Sequence, residues 1–200
     1  MLRRIGGEPV SRILGTRGFW SFDLEVRENV LDPRADTECL IDACIALMEQ
    51  KRTQPLRFLD VGTGSGAILA GVLTEFRQAT GVGIDLSADA TSCARDNLER
   101  LGLGHRATIA QRDWRDALEE RFDVVLSNPP YIETAMIGRL DREVRNHDPI
   151  MALDGGADGL DAYRSIAEHA QGWLKDAGVL ILEIGHTQAA AGALAWLAGA

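Results

Sequence analysis

The chain has 200 residues, of which 46% are hydrophobic and 26% charged, as in an ordinary globular domain with one core. Its net charge of -9 disfavours nucleic acid as a bulk electrostatic partner, because phosphate binding depends on Lys and Arg. The three cysteines form no CxxC pair, the histidines show no metal-ligand spacing, and no apolar run is long enough to cross a membrane. We therefore expect a cytoplasmic protein without a metal, a membrane segment or a signal peptide.

Residues 1–50 are predicted to lead into a catalytic domain at 51–200 and to form one compact unit with it. Apolar and polar residues alternate from Trp20 to Arg27, the period of a half-buried strand. A loop over 31–34 follows, and Asp36 or Thr37 is predicted to cap a helix. The apolar stripe of that helix is Leu40, Ile41, Cys44, Ile45 and Met48.

From residue 56 onward, predicted strands and helices alternate along the chain. This alternation indicates an α/β fold with a parallel, doubly wound sheet and helices on both faces. The predicted strands cover 56–61, 82–85, 108–110, 123–126 and 179–184. The predicted helices cover 67–76, 137–145 and 160–177, together with one that Ser87 caps and Gly102 ends, and a last one capped by Thr187.

A glycine-rich turn follows the first of these strands, with the sequence Asp60-Val61-Gly62-Thr63-Gly64-Ser65-Gly66. Glycines there allow a ligand to approach the backbone, and the next helix offers N–H groups and a positive dipole end. The spacing G-x-G-x-G differs from the dinucleotide fingerprint, which disfavours a nucleotide-dependent oxidoreductase. Asp85, at the end of the next strand, can accept hydrogen bonds from both hydroxyls of a ribose. The alternative is that Asp85 has only a structural role, as a cap residue before the next helix.

Asp113 and Trp114 follow the third strand. A carboxylate beside a flat indole suits an adenine ring, although Trp114 can also be a core residue. A helix-start site, a ribose-binding acid and an adenine pocket together describe S-adenosylmethionine.

The sequence Asn128-Pro129-Pro130-Tyr131 directly follows the fourth predicted strand. A proline has no N–H to donate and restricts the residue before it, so the strand must end in a stiff loop. The Asn128 side-chain oxygen and the Pro129 carbonyl can accept both protons of a planar –NH2 group, and Tyr131 can pack against its flat face. This arrangement directs the nitrogen lone pair at an electrophile. The alternative is a turn in which proline only ends the strand.

Several short motifs resemble the HemK/PrmC-type protein-glutamine N5-methyltransferases, and the resemblance covers nearly all of 8–188. They are Glu8-Pro9-Val10, Ile13-Leu14-Gly15, Phe19-Trp20, Pro33-Arg34, Thr37-Glu38, residues 60–68, residues 127–132 and Glu183-Ile184-Gly185. The resemblance implies a class I, Rossmann-like S-adenosylmethionine-dependent methyltransferase. Its substrate would be the Gly-Gly-Gln loop of a peptide chain release factor, a protein of translation termination.

By the same resemblance, residues 62–66, Asp85, Trp114 and Asn128 would hold the cofactor and residues 128–131 the glutamine, with Arg34 over the site. The chain departs from the family at Arg12, where an aromatic residue is common, and at Ala35-Asp36. The family's N-terminal helical domain and C-terminal strand pair have no counterpart in the sequence, so we expect a sheet truncated at its C-terminal end. Two alternatives remain open: a DNA or RNA amino-group (adenine N6) methyltransferase and a non-catalytic cofactor-binding remnant.

Overall fold

The computed structural model of the protein describes residues 2–116, 118–186 and 188. Its strands are β1 (Thr16–Phe19), β2 (Phe22–Glu25), β3 (Arg57–Val61), β4 (Thr80–Asp85), β5 (Ala107–Gln111), β6 (Phe122–Ser127) and β7 (Leu174–Leu182). Its α-helices are α1 (Leu2–Ile5), α2 (Val10–Leu14), α3 (Glu38–Met48), α4 (Ala67–Glu75), α5 (Ala88–Arg100), α6 (Thr134–Ile137), α7 (Arg142–His147) and α8 (Asp161–Trp173). Short 3-10 turns occur at Ala35–Thr37, Glu49–Lys51, Gly104–Arg106 and Ile150–Ala152.

Five strands form one parallel sheet in the order β5-β4-β3-β6-β7. The predicted parallel, doubly wound sheet is therefore confirmed. The central strand β3 pairs with β4 on one side and with β6 on the other, so the chain reverses its direction of winding between β3 and β6. Ligands bind at such a switch point, beyond the carboxyl ends of the strands.

Two hydrophobic clusters cover the two faces of the sheet. Phe58 and Val124 point to the face that carries α3 and α4, whereas Leu59 and Val125 point to the face that carries α8. Neighbouring residues of one strand thus enter opposite cores, which is why β3 and β6 read as continuous apolar runs. In the predicted stripe of α3, four side chains are buried and that of Ile45 is partly buried.

The half-buried strand predicted from Trp20 to Arg27 is confirmed over Phe22–Glu25, but the structure places it in a hairpin whose other strand, β1, the sequence does not predict. Strands β1 and β2 pair antiparallel, and the chain turns at Trp20, whose φ is 54°. The alternation of apolar and polar residues begins at the turn itself and so does not reveal the first strand. The cap prediction for Ser87 is confirmed, since its side chain accepts a hydrogen bond from Ala90 N at 3.2 Å.

Two helix predictions need correction. The helix expected over 160–177 ends at Trp173, and β7 begins at Leu174 with a bulge before Val179 resumes the pairing with Val124. The helix expected over 137–145 is two short helices, α6 and α7. The last predicted helix, from Thr187, lies outside the described residues. In the part of the chain that the structure describes, no helix combines the length and apolar character needed to cross a membrane.

Candidate functional site

The glycine turn between β3 and α4 has a left-handed backbone conformation that is unfavourable for residues other than glycine. Gly62, Gly64 and Gly66 have φ values of 71°, 55° and 82°. A Cβ on Gly66 would lie 3.2 Å from Ala94 of α5, so this glycine permits close packing of the helix. A Cβ on Gly64 would meet nothing within 4 Å, so this stretch of backbone is left open to a ligand.

Asp60 supports the glycine turn from inside the protein. It is fully buried, and its Oδ2 accepts hydrogen bonds from Thr63 Oγ1 at 2.6 Å and from Leu69 N at 3.3 Å. Its Oδ1 has no hydrogen-bond partner among the described residues. Burial raises the pKa of Asp60 to about 7, against the opposing effect of these hydrogen bonds. Asp60 thus shapes the turn, whereas Gly62 and Gly64 line the neighbouring cavity.

Asp85 lies at the end of β4 and faces the same cavity. Its Oδ2 accepts a hydrogen bond from Gly64 N at 2.9 Å, and its Oδ1 accepts one from Ser87 N at 2.9 Å. Burial raises the pKa of this carboxyl, and the backbone N–H groups oppose the rise. Asp85 therefore leads α5, fixes the glycine turn and lines the cavity at once, so the two interpretations of this residue are compatible.

Trp114 and Asp113 have separate surroundings. The Trp114 ring lines the cavity near Gly62, and its Nε1 donates a hydrogen bond to Ser165 Oγ at 3.0 Å. The Asp113 carboxylate instead accepts hydrogen bonds from the Arg115 guanidinium, at 2.5 Å for the shortest, which lower its pKa to about 2. The structure thus brings Trp114 into the cavity wall, but it directs the Asp113 carboxylate toward a neighbouring arginine.

Two cavities meet at the loop after β6. We call the first the glycine-loop cavity; its wall includes Gly62, Gly64, Asp85, Trp114, Asn128, Pro129 and Pro130. We call the second the proline-loop cavity; its wall includes Arg34, Asn128, Pro129, Tyr131, Leu140 and Val144. Asn128 and Pro129 line both cavities, so a group in either one lies against the same two residues.

The side chain of Asn128 is held by a residue distant in sequence. Its Nδ2 donates a hydrogen bond to Thr37 Oγ1 at 3.0 Å. Thr37 is buried and directly precedes α3, as one of the two predicted cap positions, but its side chain makes no cap bond to the helix. Beside Asn128, Ser127 Oγ donates to Val61 O at 2.6 Å and ties the end of β6 to the end of β3.

Tyr131 connects the proline loop to a buried acid, Glu183, through a hydrogen bond. Its hydroxyl donates a hydrogen bond to Glu183 Oε1 at 3.4 Å, and burial raises the pKa of the phenol. Glu183 follows β7 and is 9% exposed, and its Oε2 has no hydrogen-bond partner among the described residues. The Tyr163 hydroxyl donates to the Glu183 carbonyl at 3.0 Å, so α8 holds this segment in place.

A glycine-rich loop packs against the back of Tyr131. A Cβ on Gly155 would lie 2.8 Å from Tyr131 Cα, and one on Gly159 would lie 2.4 Å from Tyr131 O. Ile132 N donates to Leu153 O at 3.0 Å. The glycines of this loop therefore allow a backbone approach that fixes the proline loop from behind.

Asp148 organises the rim of the proline-loop cavity. It is buried and accepts hydrogen bonds from Arg12, at 2.8 Å, and from Arg34. Arg12 is itself buried and also donates to Val30 O at 2.8 Å. Arg34, predicted to lie over the site, thus lines the proline-loop cavity with its guanidinium held by Asp148.

No group of three or more His, Cys, Asp or Glu side chains that could hold a metal ion occurs among the described residues. The polar groups at the two cavities are hydrogen-bond donors and acceptors, and one acid, Asp85, lines the glycine-loop cavity. The arrangement can bind a ligand on the glycine turn and hold a second group at Asn128.

Comparison with known families identifies the chain. Residues 40–142, from α3 to the start of α7, match the family described as Methyltransferase small domain. The chain belongs to this family. The matched region contains the glycine turn, Asp85, Trp114 and the proline loop, and thus most of the wall of the glycine-loop cavity and part of the wall of the proline-loop cavity.

Among curated proteins, the chain is similar to release factor glutamine methyltransferases from several bacteria. The protein from Bradyrhizobium diazoefficiens is 49% identical over 188 residues, which are 94% of this chain and 63% of that protein. The protein from Rhodospirillum rubrum is 50% identical over 187 residues, or 94% and 57% of the two chains. The chain thus spans about three fifths of the length of these relatives.

Solved structures show the same fold at low sequence identity. The ribosomal protein L11 methylase of Lactobacillus delbrueckii subsp. bulgaricus matches with a TM-score of 0.59 and 17% identity, over 85% of this chain and 71% of that one. The precorrin 8W decarboxylase of Methanobacterium thermoautotrophicum matches with a TM-score of 0.56 and 18% identity, over 84% and 74%. The fold expected from the sequence, that of a class I methyltransferase, is confirmed.

Three residues at the site escaped the prediction of site residues from sequence. The sequence indicates Thr37 only as a possible helix cap and as part of a family motif, Glu183 only as part of a family motif, and Asp148 not at all. One signal was available for Glu183, because it is the only charged residue in the apolar run 179–184. A lone carboxylate in a strand covered on both faces is costly unless it has partners.

Proposed function

We propose that this protein is an S-adenosylmethionine-dependent N-methyltransferase. Its acceptor would be the side-chain amide (N5) of the glutamine in the Gly-Gly-Gln motif of peptide chain release factors. The observation that carries the proposal is the shared wall of Asn128 and Pro129 between the two cavities. The names of the relatives from Bradyrhizobium and Rhodospirillum support the choice of substrate. The protein would then act in the cytoplasm, in translation termination.

The glycine-loop cavity fits S-adenosylmethionine. The backbone at Gly64 is open to a ligand, and the N-terminus of α4 follows directly, where a carboxylate is favoured. Asp85 would accept hydrogen bonds from the ribose hydroxyls, and Trp114 would pack against the adenine. Asp60, Thr63, Ser65 and Gly66 would act from behind, by holding the turn in shape.

The proline-loop cavity would receive the glutamine. Asn128 Oδ1 and the Pro129 carbonyl can accept the two protons of the amide –NH2, and Tyr131 offers a flat surface to it. Both prolines lack an N–H, so no backbone donor at these positions competes with the substrate amide. Leu140, Val144 and Ile132 make the rest of this wall largely apolar, which suits the methylene groups of a glutamine side chain.

When bound, S-adenosylmethionine supplies an electrophilic methyl group on its sulfonium. An amide nitrogen is a poor nucleophile, because its lone pair is delocalised into the carbonyl group. The residues of this chain would compensate by orientation: Asn128 and Pro129 would fix both N–H bonds, so that the lone pair faces the glycine-loop cavity. Positioning of this kind can contribute about 7–11 kcal/mol to lowering a barrier. The positive charge that develops on nitrogen would be stabilised by the same two oxygen atoms.

Methyl transfer from labelled S-adenosylmethionine tests the proposal. The chain would be incubated with a bacterial release factor, with the same factor carrying Gln→Ala in its Gly-Gly-Gln motif, and with duplex DNA. We expect label in the intact factor only. Label in DNA would favour an amino-group nucleic-acid methyltransferase, whereas cofactor binding without transfer to any acceptor would favour a non-catalytic protein.

A further inference from the structure

Thr37 holds one end of the Asn128 amide. Its hydroxyl oxygen accepts a hydrogen bond from Asn128 Nδ2 at 3.0 Å, which takes up the nitrogen end of the amide. The backbone of Thr37 is also fixed, because its N–H donates to Arg34 O at 3.1 Å. With the nitrogen engaged in this way, Asn128 Oδ1 remains as the end available to a ligand.

This orientation matters because an amide has one end that donates and one that accepts. A hydroxyl group carries one hydrogen, so Thr37 can either donate to Asn128 or accept from it. If the Thr37 hydrogen pointed to Asn128, the amide would turn round and present its NH2 group to the cavities. Two donors would then face each other, because the proposed acceptor nitrogen also carries N–H groups. A third group must therefore hold the Thr37 hydrogen elsewhere.

Glu183 is the group suited to that task. Its carboxylate is buried beside the proline loop, Tyr131 donates to Oε1, and Oε2 has no geometric hydrogen-bond partner among the described residues. Burial raises the pKa of Glu183, and the nearby polar side chains of Thr37, Tyr131 and Asn128 oppose that rise. An ionised carboxylate only accepts hydrogen bonds, so a neighbouring hydroxyl directs its hydrogen toward it.

We propose that Thr37 and Glu183 are positioning residues that hold Asn128 with its Oδ1 toward the acceptor nitrogen. Glu183 would draw the Thr37 hydrogen to itself, Thr37 Oγ1 would then accept from Asn128 Nδ2, and Asn128 Oδ1 would face the substrate. Neither Thr37 nor Glu183 need touch the substrate. The inference rests on the proposed function, because it requires an acceptor that donates N–H bonds.

The pair T37V and T37S tests the role of the hydroxyl. Valine keeps the shape of threonine without the hydroxyl, and serine keeps the hydroxyl. With a bacterial release factor as substrate, we expect T37V to lower kcat by about tenfold or more, as an interaction that acts mainly in the transition state should. Cofactor Kd, measured by calorimetry, should stay within about twofold of the wild-type value, which is a shift below 0.5 kcal/mol. T37S should recover most of the lost turnover. The kcat of E183Q should lie between the values for T37V and the wild type.

Two results would overturn the inference: unchanged kcat in a folded T37V protein, or a loss of cofactor affinity that matches the loss of kcat. A second measurement does not depend on turnover. The Asn128 side-chain NH2 signals, assigned by their absence in N128A, should exchange with solvent more slowly in the wild type and T37S than in T37V. Equal exchange in all three proteins would refute the positioning role of Thr37, whether or not a release factor is methylated. The absence of release factor methylation in the wild type would count against the proposed function instead.

Discussion

The two sides of the candidate site are built by different means. On the glycine-loop side, the contacts that fix the glycine turn join residues close in sequence or on adjacent strands: Asp60 binds Thr63, and Asp85 binds Gly64 and Ser87. On the proline-loop side, side chains from distant segments meet, as in the contact of Asn128 with Thr37. The first side depends on backbone conformation and the second on tertiary packing. Substitutions should therefore have different consequences on the two sides.

The largest effect is expected where the proline-loop side depends on one buried acid. Asp148→Ala would leave the buried guanidinium of Arg12 without its carboxylate and would release Arg34. Breaking a buried ion pair in this way costs about 3–5 kcal/mol of folding stability. Chemical denaturation would measure the loss. The control is Asp158→Ala, which removes an exposed pair with Arg164 and should cost about 0–1 kcal/mol.

A difference of less than about 1 kcal/mol between these two variants would contradict this view of the proline-loop side. It would mean that the segments around Asp148 are held by contacts other than the two arginines.

Asn128→Ala should impair the proline-loop side of the site and leave cofactor binding on the glycine-loop side nearly unchanged. We expect turnover with a release factor to fall by about 10²–10³, the range seen when one group that stabilises a transition state is removed. Cofactor affinity should change little, because Asp85, Gly64 and Trp114 remain. The measurements are steady-state kinetics and calorimetry, with the exposed Asn146→Ala as the control. A loss of turnover below about tenfold would show that Asn128 does not orient the acceptor.

This contrast also explains what sequence can predict. The strands, the glycine turn and the proline loop follow from short patterns, because each is determined within a few residues. The first strand of the β1–β2 hairpin, the end of α8 at Trp173 and the break between α6 and α7 were not predicted, since local propensity there is overridden by packing. Thr37 and Asp148 were missed for a related reason. Their partners are 91 and up to 136 positions away, and a single sequence carries no signal for such pairs.

On the glycine-loop side, Asp85→Ala should weaken binding of S-adenosylmethionine by about 1–3 kcal/mol, the usual loss for a charged hydrogen-bond partner. Two effects contribute: the ribose hydroxyls lose an acceptor, and Gly64 N and Ser87 N lose the carboxylate that fixes the turn. Calorimetry would measure the affinity, with Asp96→Ala on the exposed face of α5 as the control. Unchanged affinity in a folded Asp85→Ala protein would remove this residue from the cofactor site.

The last effect depends on pH and concerns Asp60, which acts on the glycine turn from the core. Its pKa is raised by burial from 3.8 to about 7, so the folded state holds the proton more tightly than the unfolded state. The contribution of Asp60 to stability is therefore fully present below pH 3.8 and is lost as the pH rises through about 7. The slope between these values cannot exceed about 1.4 kcal/mol per pH unit for one proton.

Asp60→Asn isolates this titration. An asparagine can still accept from Thr63 and Leu69 through its oxygen, while its nitrogen replaces Oδ1, which has no partner among the described residues. Because the amide does not ionise, the variant should lose less stability than the wild type between pH 5 and pH 7.5. Glu183 titrates in both proteins, so its effect cancels in the difference, whereas the charge of Asp85, which helps to raise the pKa of Asp60, contributes to it. Urea denaturation across this range would measure the two curves. Parallel curves would show that Asp60 is ionised in the folded protein throughout, and that the glycine turn is stabilised by a buried charge.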